Sequence, residues 1–183
     1  MDTAQFSGMQ LLAISGSLRA DSTNTALLRM LPRFAPHGTD VVLYTEMGDL
    51  PVFNPDLEGS RTPPSVLRLA GQISNADGLI VSSPEYAHGI PGGLKNLFDW
   101  LVSRFEVIDK PILLIHASHR GDLGLEALHE VLKTLSKNTV PTVTVRIPLV
   151  SLSMAEAEEV VARRKYAEMI TRGLADFVAG IRA

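Results

Sequence analysis

Between Ser15 and Thr25 the chain carries hydroxyls at Ser17, Ser22, Thr23 and Thr25, an amide at Asn24 and a guanidinium at Arg19. That set suits a phosphate. Backbone N–H groups at a helix start lack internal partners and sit at the positive end of the helix dipole, so they bind an anion without a basic surface. Arg19 adds a charge-assisted, two-pronged contact. One serine or threonine here needs no more explanation than a helix cap. The density of donors exceeds what a cap requires. Neither G-x-x-x-x-G-K-[ST] nor G-x-G-x-x-G occurs, and Leu18 stands where a dinucleotide loop needs its second glycine. A terminal monophosphate therefore fits better than a triphosphate or a pyrophosphate. Glu46, just past the second apolar run, imitates a ribose-binding acid and keeps an NAD-binding Rossmann domain open as an alternative.

A second loop, Ser83-Pro-Glu-Tyr-Ala-His-Gly-Ile-Pro-Gly-Gly93, has two prolines and three glycines. Pro84 and Pro91 limit its conformers, while Gly89 and Gly92 allow close backbone approach. Such a loop can wall a flat heteroaromatic ring, with the ring of Tyr86 packed against the ligand. Lys95, Asn96 and Asp99 read as a solvated helix face, and Trp100 as core or subunit interface. A third loop, Ala117 to Gly124, contains Ser118, His119, Arg120 and Gly121. His119 or Arg120 is suited to a nucleotide phosphate or an anionic substrate. His116, His119 and His129 do not make a metal site, because H-x-x-H without a carboxylate pair is weak. A serine hydrolase is likewise disfavoured, as no strand is followed by G-x-S-x-G.

Apolar β-type runs position these loops, at Met9–Ser15, Val41–Tyr44, Gly78–Ser82, Ile112–Ile115 and Val143–Ile147. They are continuous rather than alternating, as strands covered on both faces should be. Helical stripes lie between them: Leu27 to Phe34; a weaker one from Pro64 to Ile73; Leu94 to Phe105; Leu125 to Leu135; and one C-terminal helix from Val160 to Val178. This alternation predicts an α/β fold, a three-layer sandwich around a five-stranded parallel sheet. Right-handed crossovers favour the order 2-1-3-4-5, which puts a ligand beyond the carboxyl ends of strands one and three. The Pro- and Gly-rich stretch 48–64 is too long for a simple connection and reads as a lid or ligand wall.

The 183 residues make one domain, 1–183, with 45% apolar and 20% charged residues. A net charge of −3 without charge blocks argues against nucleic acid as a partner. There is no cysteine, so disulfides, thiol nucleophiles and thiolate metal sites are excluded, and if the protein moves electrons a cofactor must carry them. The N-terminal residues 1–8 lack a basic region and no apolar run approaches the ~18 residues of a membrane span. A cytoplasmic protein without a membrane partner is expected.

Gly16-Ser-Leu-Arg19 with Ser22 and Asn24, and Ser83-Pro-Glu-Tyr86 with Gly89, Pro91, Gly92, Leu94-Lys-Asn96 and Asp99-Trp100, resemble the NADPH-dependent FMN reductase family, which includes chromate, quinone and azo-dye reductases. The resemblance spans about residues 10–150. It implies a flavodoxin-like fold, non-covalent FMN, NADPH or NADH as electron donor, a small-molecule electron acceptor (quinone, azo compound, metal oxyanion or free flavin), and a homodimer or homotetramer. Carried over by residue, Ser17, Arg19, Ser22 and Asn24 hold the FMN phosphate, with Thr25 assisting at the helix start. Pro84, Glu85, Tyr86, Ala87, His88 and Gly89 flank the ribityl chain and ring, and Ser118 and Gly121 lie along its pyrimidine edge. Two departures stand out: Ala87 replaces a common Asn, and Leu125 replaces the second of a glycine pair. The cofactor performs the chemistry, so no side chain is assigned as catalytic. A flavodoxin-like electron carrier or flavin sensor remains the second alternative; the mild acidity does not favour it.

Overall fold

The computed structural model describes residues 8–137 and 145–183. Five strands, β1 Met9–Ser15, β2 Thr39–Tyr44, β3 Gly78–Ser82, β4 Ile112–His116 and β5 Val145–Arg146, form one sheet in the order β2-β1-β3-β4-β5. All paired neighbours run parallel. The flavodoxin-like order expected from the sequence is the one observed. Residues 143 and 144, expected in the fifth strand, lie outside the described residues.

Alternate residues of each central strand enter opposite cores. Leu12, Ile14, Leu79, Val81, Ile112 and Leu114 face α2 Pro64–Asn75, α3 Gly92–Leu101 and α4 Asp122–Leu135. Leu11, Ala13, Ile80, Leu113 and Ile115 face α1 Thr23–Met30, α5 Met154–Ala162 and α6 Arg164–Arg182. Burial on both faces is why the runs are continuous rather than alternating. The helices start where their chemistry directs: Pro64 is the first residue of α2, and Ser153 and Glu156 form a reciprocal capping box on α5.

Three sequence expectations need correction. The C-terminal helix is two helices, because Arg163 adopts an extended conformation (φ −62°, ψ 134°) that ends α5 and begins α6. The bend lets α5 pack on α1 while α6 covers the sheet, where Phe177 and Ile181 press so closely on Gly78 that a Cβ there would lie 2.9–3.0 Å from them. Phe105 does not extend the α3 stripe: α3 ends at Leu101, and Phe105 sits in a following 3-10 turn, 84% exposed.

The third correction concerns the stretch 48–64 and Asn96. Trp100 is fully buried and its Nε1–H donates to the Pro51 carbonyl at 2.8 Å. Asn96 is no solvated residue. Its Nδ2 donates to the same carbonyl at 2.9 Å, and its Oδ1 accepts the Phe53 N–H at 2.7 Å. Phe53 then meets the Trp100 ring edge-on at 5.0 Å. The long segment is thus fastened to α3. Lys95 and Asp99 pair with each other at the surface.

Removing Asn96 should loosen this segment without touching the sheet. We expect Asn96→Ala to destabilise the protein by about 1–3 kcal/mol, the usual range when a buried partner is left unsatisfied. Asn96→Asp, which keeps the acceptor for Phe53 but sets a charged oxygen against the Pro51 carbonyl, should lose at least as much. Urea denaturation of both variants tests this; equal stability of wild type and Asn96→Ala would refute it.

Candidate functional site

The carboxyl ends of β1, β3, β4 and β5 open onto one cleft of about 560 Å³, within the usual range for small-ligand sites. Gly16 brings two of its walls together. A Cβ at Gly16 would lie 2.6 Å from Ser83 Oγ and 2.9 Å from Leu94 Cδ2, so only glycine lets the β1 and β3 loops approach this closely. The Gly16 N–H donates to the Ser82 carbonyl at 2.7 Å. Below it, Ser82 Oγ donates to Asn24 Oδ1 at 2.8 Å, tying β3 to the first turn of α1.

Ser17, Arg19, Ser22, Thr23 and Asn24 line the α1 end of the cleft, together with Asp21. Ser22 caps α1, its Oγ accepting the Thr25 N–H at 3.3 Å. The N–H groups of Thr23 and Asn24 and the Asn24 Nδ2 have no hydrogen-bond acceptor among the described residues, and Arg19 has no ion-pair partner there. Unpaired donors at a helix start, next to an unpaired guanidinium, are what a phosphate monoester requires. Thr25 lies elsewhere: its Oγ1 bonds Ser15 Oγ at 2.7 Å and lines a separate small pocket beside β2.

Pro84, Glu85 and Tyr86 form the facing wall, with Tyr86 half exposed. The chain then reverses. Tyr86 and Gly89 exchange two backbone hydrogen bonds of 2.9 Å, with φ of 49° at Ala87 and 59° at His88. Positive φ at both central residues is the I′ turn geometry, which favours Asn, Asp or Gly and costs an alanine. Ala87, His88 and Gly89 therefore stand at the turn rather than in the cleft lining, and the His88 side chain is 79% exposed. Their part is to hold Tyr86.

Glu85 turns sideways. Its Oε2 accepts the Gly124 N–H at 2.6 Å in the first turn of α4, while Oε1 lies 3.5 Å from His88 Nδ1. A Cβ at Gly124 would lie 2.8 Å from Glu85 Cβ, so this glycine admits the glutamate stem. A carboxylate at a helix start is also favoured by the helix dipole. Ser118 and Gly121 line the cleft on the same side. His116 Nε2 meets the Arg120 carbonyl at 2.7 Å, the Arg120 N–H donates to Ser118 Oγ at 2.9 Å, and Gly121 supplies a φ of 91° where α4 begins. The loop shape follows from those contacts.

Sequence reasoning left out a fourth wall, Val150 to Ser153, and the lining contributed by Ser83 and His116; of the two residues it offered for an anionic substrate, Arg120 lines the cleft and His119 does not. A usable signal existed: ligands in such sheets gather at the carboxyl ends of all the strands. Glu46 is engaged elsewhere, with Arg68 Nε at 2.8 Å and Gln72 at 3.5 Å, and lies outside this cleft. Next to it Tyr44, 4% exposed, has a hydroxyl without a partner among the described residues. Burial first, and then the Glu46 charge, push its pKa from 10.0 up to about 12. No cluster of three His, Asp or Glu among the described residues is arranged for a metal ion.

Ala87→Asn should stabilise the protein by about 0.5–1 kcal/mol, since Asn tolerates the left-handed region; a lower denaturation midpoint would show that the turn has another conformation in solution. Tyr44 makes a pH prediction. A phenol whose pKa is raised on folding gives stability that is complete below pH 10, its unfolded value, and lost as pH rises through about 12. Urea midpoints across this range should fall more steeply for the wild type than for Tyr44→Phe, and parallel curves would contradict the assignment.

Comparison with known proteins identifies the family. Residues 9–157 match the family model for NADPH-dependent FMN reductase. A quinone reductase of Escherichia coli is 38% identical over 121 residues, covering 63% of each chain. An NAD(P)H-dependent FMN reductase of Pseudomonas aeruginosa is 38% identical over 92 residues, covering 50% of this chain and 49% of its own. The chain thus matches less than two thirds of the length of these curated relatives. Among solved structures, the flavoenzyme NAD(P)H:(acceptor) oxidoreductase of Paracoccus denitrificans superposes with a TM-score of 0.74 at 28% identity, covering 95% of this chain and 97% of its own. With the family model matched over residues 9–157, most of its length, this chain belongs to the NADPH-dependent FMN reductase family.

Proposed function

We propose that the protein is an NAD(P)H-dependent FMN oxidoreductase that reduces a small acceptor, with a quinone as the first candidate. The observation that carries this reading is the set of unpaired donors at the start of α1, held against the rigid 83–89 loop by the close approach at Gly16. Bound FMN supplies two-electron chemistry between a nicotinamide donor and the acceptor. The chain positions it. Arg19, the Thr23 and Asn24 amides and the hydroxyls of Ser17 and Ser22 fit its phosphate. Pro84 to Tyr86, with Ser118 and Gly121, fit the ribityl chain and ring, and Glu85 and His116 fix those loops rather than react. No side chain needs to move a proton.

Quinones lead because the E. coli relative is a quinone reductase; azo compounds, metal oxyanions and free flavin share the same requirement for an open ring face. A homodimer or homotetramer in the cytoplasm completes the proposal, and the exposed apolar side chains of Val52 and Phe105 would suit a subunit contact. Among the described residues no helix is long and apolar enough to cross a membrane.

FMN titration should show far tighter binding than riboflavin, because the α1 donors recognise phosphate. Arg19→Ala should weaken FMN binding by about 1.5–3 kcal/mol with little change in apoprotein stability. An unchanged affinity with an unfolded apoprotein would make Arg19 structural. Stopped-flow mixing of the FMN-loaded protein with NADPH or NADH, without acceptor, should bleach the oxidised flavin band. A flavin that stays oxidised with both nucleotides yet accepts electrons from dithionite would identify a carrier or sensor instead.

A further inference from the structure

The loops after β4 and β5 form one half of the cleft, and their charge is one-sided. Arg120 is one of the lining residues and is exposed. It has no ion-pair partner among the described residues. The carboxylates nearby in sequence are committed elsewhere: Asp122 pairs with Arg146 at 2.7 Å, and Glu156 is locked into the capping box with Ser153. Glu85, which borders this half, gives one oxygen to the Gly124 N–H and sets the other toward His88. Asp21 belongs to the α1 end. The guanidinium thus has no internal anion to neutralise it.

Its backbone is held in advance. The carbonyl accepts a hydrogen bond from the buried His116 ring, the N–H donates to Ser118 Oγ, and Gly121 turns the chain immediately after. Fixing the anchor of a long side chain lowers the ordering cost of each contact it makes. Ser151, at a φ of 66°, adds a hydroxyl to the same half. The α1 end meanwhile has its own cation and amides for the FMN phosphate. β4 stands two strands from β1, about 10 Å at normal strand spacing.

We propose that Arg120, with the hydroxyl of Ser151, forms a second anion subsite in the cleft, which selects second substrates bearing a carboxylate or phosphate. The inference rests on the FMN reductase reading and adds its specificity. A guanidinium binds both oxyanions in the same two-pronged way, so the anion belongs either to the nicotinamide nucleotide or to an acidic acceptor.

The test uses the FMN-loaded wild type with Arg120→Met and Arg120→Lys, and reads ligand binding from the perturbation of flavin absorbance. The probes are NADP+, NAD+, a naphthoquinone carboxylate and its uncharged parent quinone. Arg120→Met should weaken at least one anionic probe by about 10- to 100-fold, Arg120→Lys should recover part of that loss, and the neutral quinone should bind as before. Loss confined to the nucleotides assigns the subsite to the donor's phosphates; loss confined to the quinone carboxylate assigns it to the acceptor. Equal weakening of charged and neutral quinones, no change with any probe, or a fall in FMN affinity itself would overturn the subsite. Should the wild type take up FMN, be reduced by a nicotinamide and still show no dependence on Arg120, only this inference fails. A wild type that takes up no FMN removes both.

Discussion

The cleft depends on how closely the loops at the carboxyl edge of the sheet can approach one another, and two glycines set that distance. Gly16 lets the β1 loop lie on Ser83, and Gly124 lets the first turn of α4 lie on Glu85. Each contact brings a hydrogen bond with it, from the Gly16 N–H to Ser82 and from the Gly124 N–H to the Glu85 carboxylate. The loop after β3 is therefore gripped from both sides. A side chain at either glycine would push this loop away from a neighbour that also lines the cleft.

Rigid support and free donors are divided between different residues. Ser15, Ser82, His116 and Glu85 use their polar atoms within the protein and are largely buried. Arg19, Thr23 and Arg120 line the cleft, and neither the guanidinium groups nor the Thr23 amide has an internal acceptor among the described residues. This is the arrangement expected of a site prepared for a ligand: the scaffold's hydrogen bonds are satisfied before binding, so the ligand meets donors that need little reorganisation. The I′ turn at Ala87 and His88 departs from it. The backbone holds a conformation that alanine disfavours, and the paired bonds between Tyr86 and Gly89 offset part of that cost.

The long 48–64 segment shows how misleading loop length can be. Proline, glycine and sheer length suggested a movable wall. Instead the Pro51 carbonyl is shared by the Asn96 amide and the Trp100 indole, and Phe53 packs on that indole. The segment completes the α2–α3 side of the core. Its role depended on two side chains of α3 that read, in isolation, as a solvated face and a core residue.

Strand order, the double-faced core and the loops after β1, β3 and β4 were legible in the sequence, because continuous apolar runs, helical periodicity and the handedness of crossovers are local or nearly local constraints. The hydroxyl-rich stretch 15–25 was readable for the same reason, as its donors are neighbours along the chain. What only tertiary structure decided were relations between distant residues. They include Glu85 caught by Gly124, Thr25 drawn to Ser15, Glu46 claimed by Arg68, and the break at Arg163 that lets α5 and α6 pack on different surfaces. The wall from Val150 to Ser153 belongs with them. Periodicity and propensity describe what one segment prefers, whereas the partner a side chain finds depends on which other segments the packed sheet carries to it.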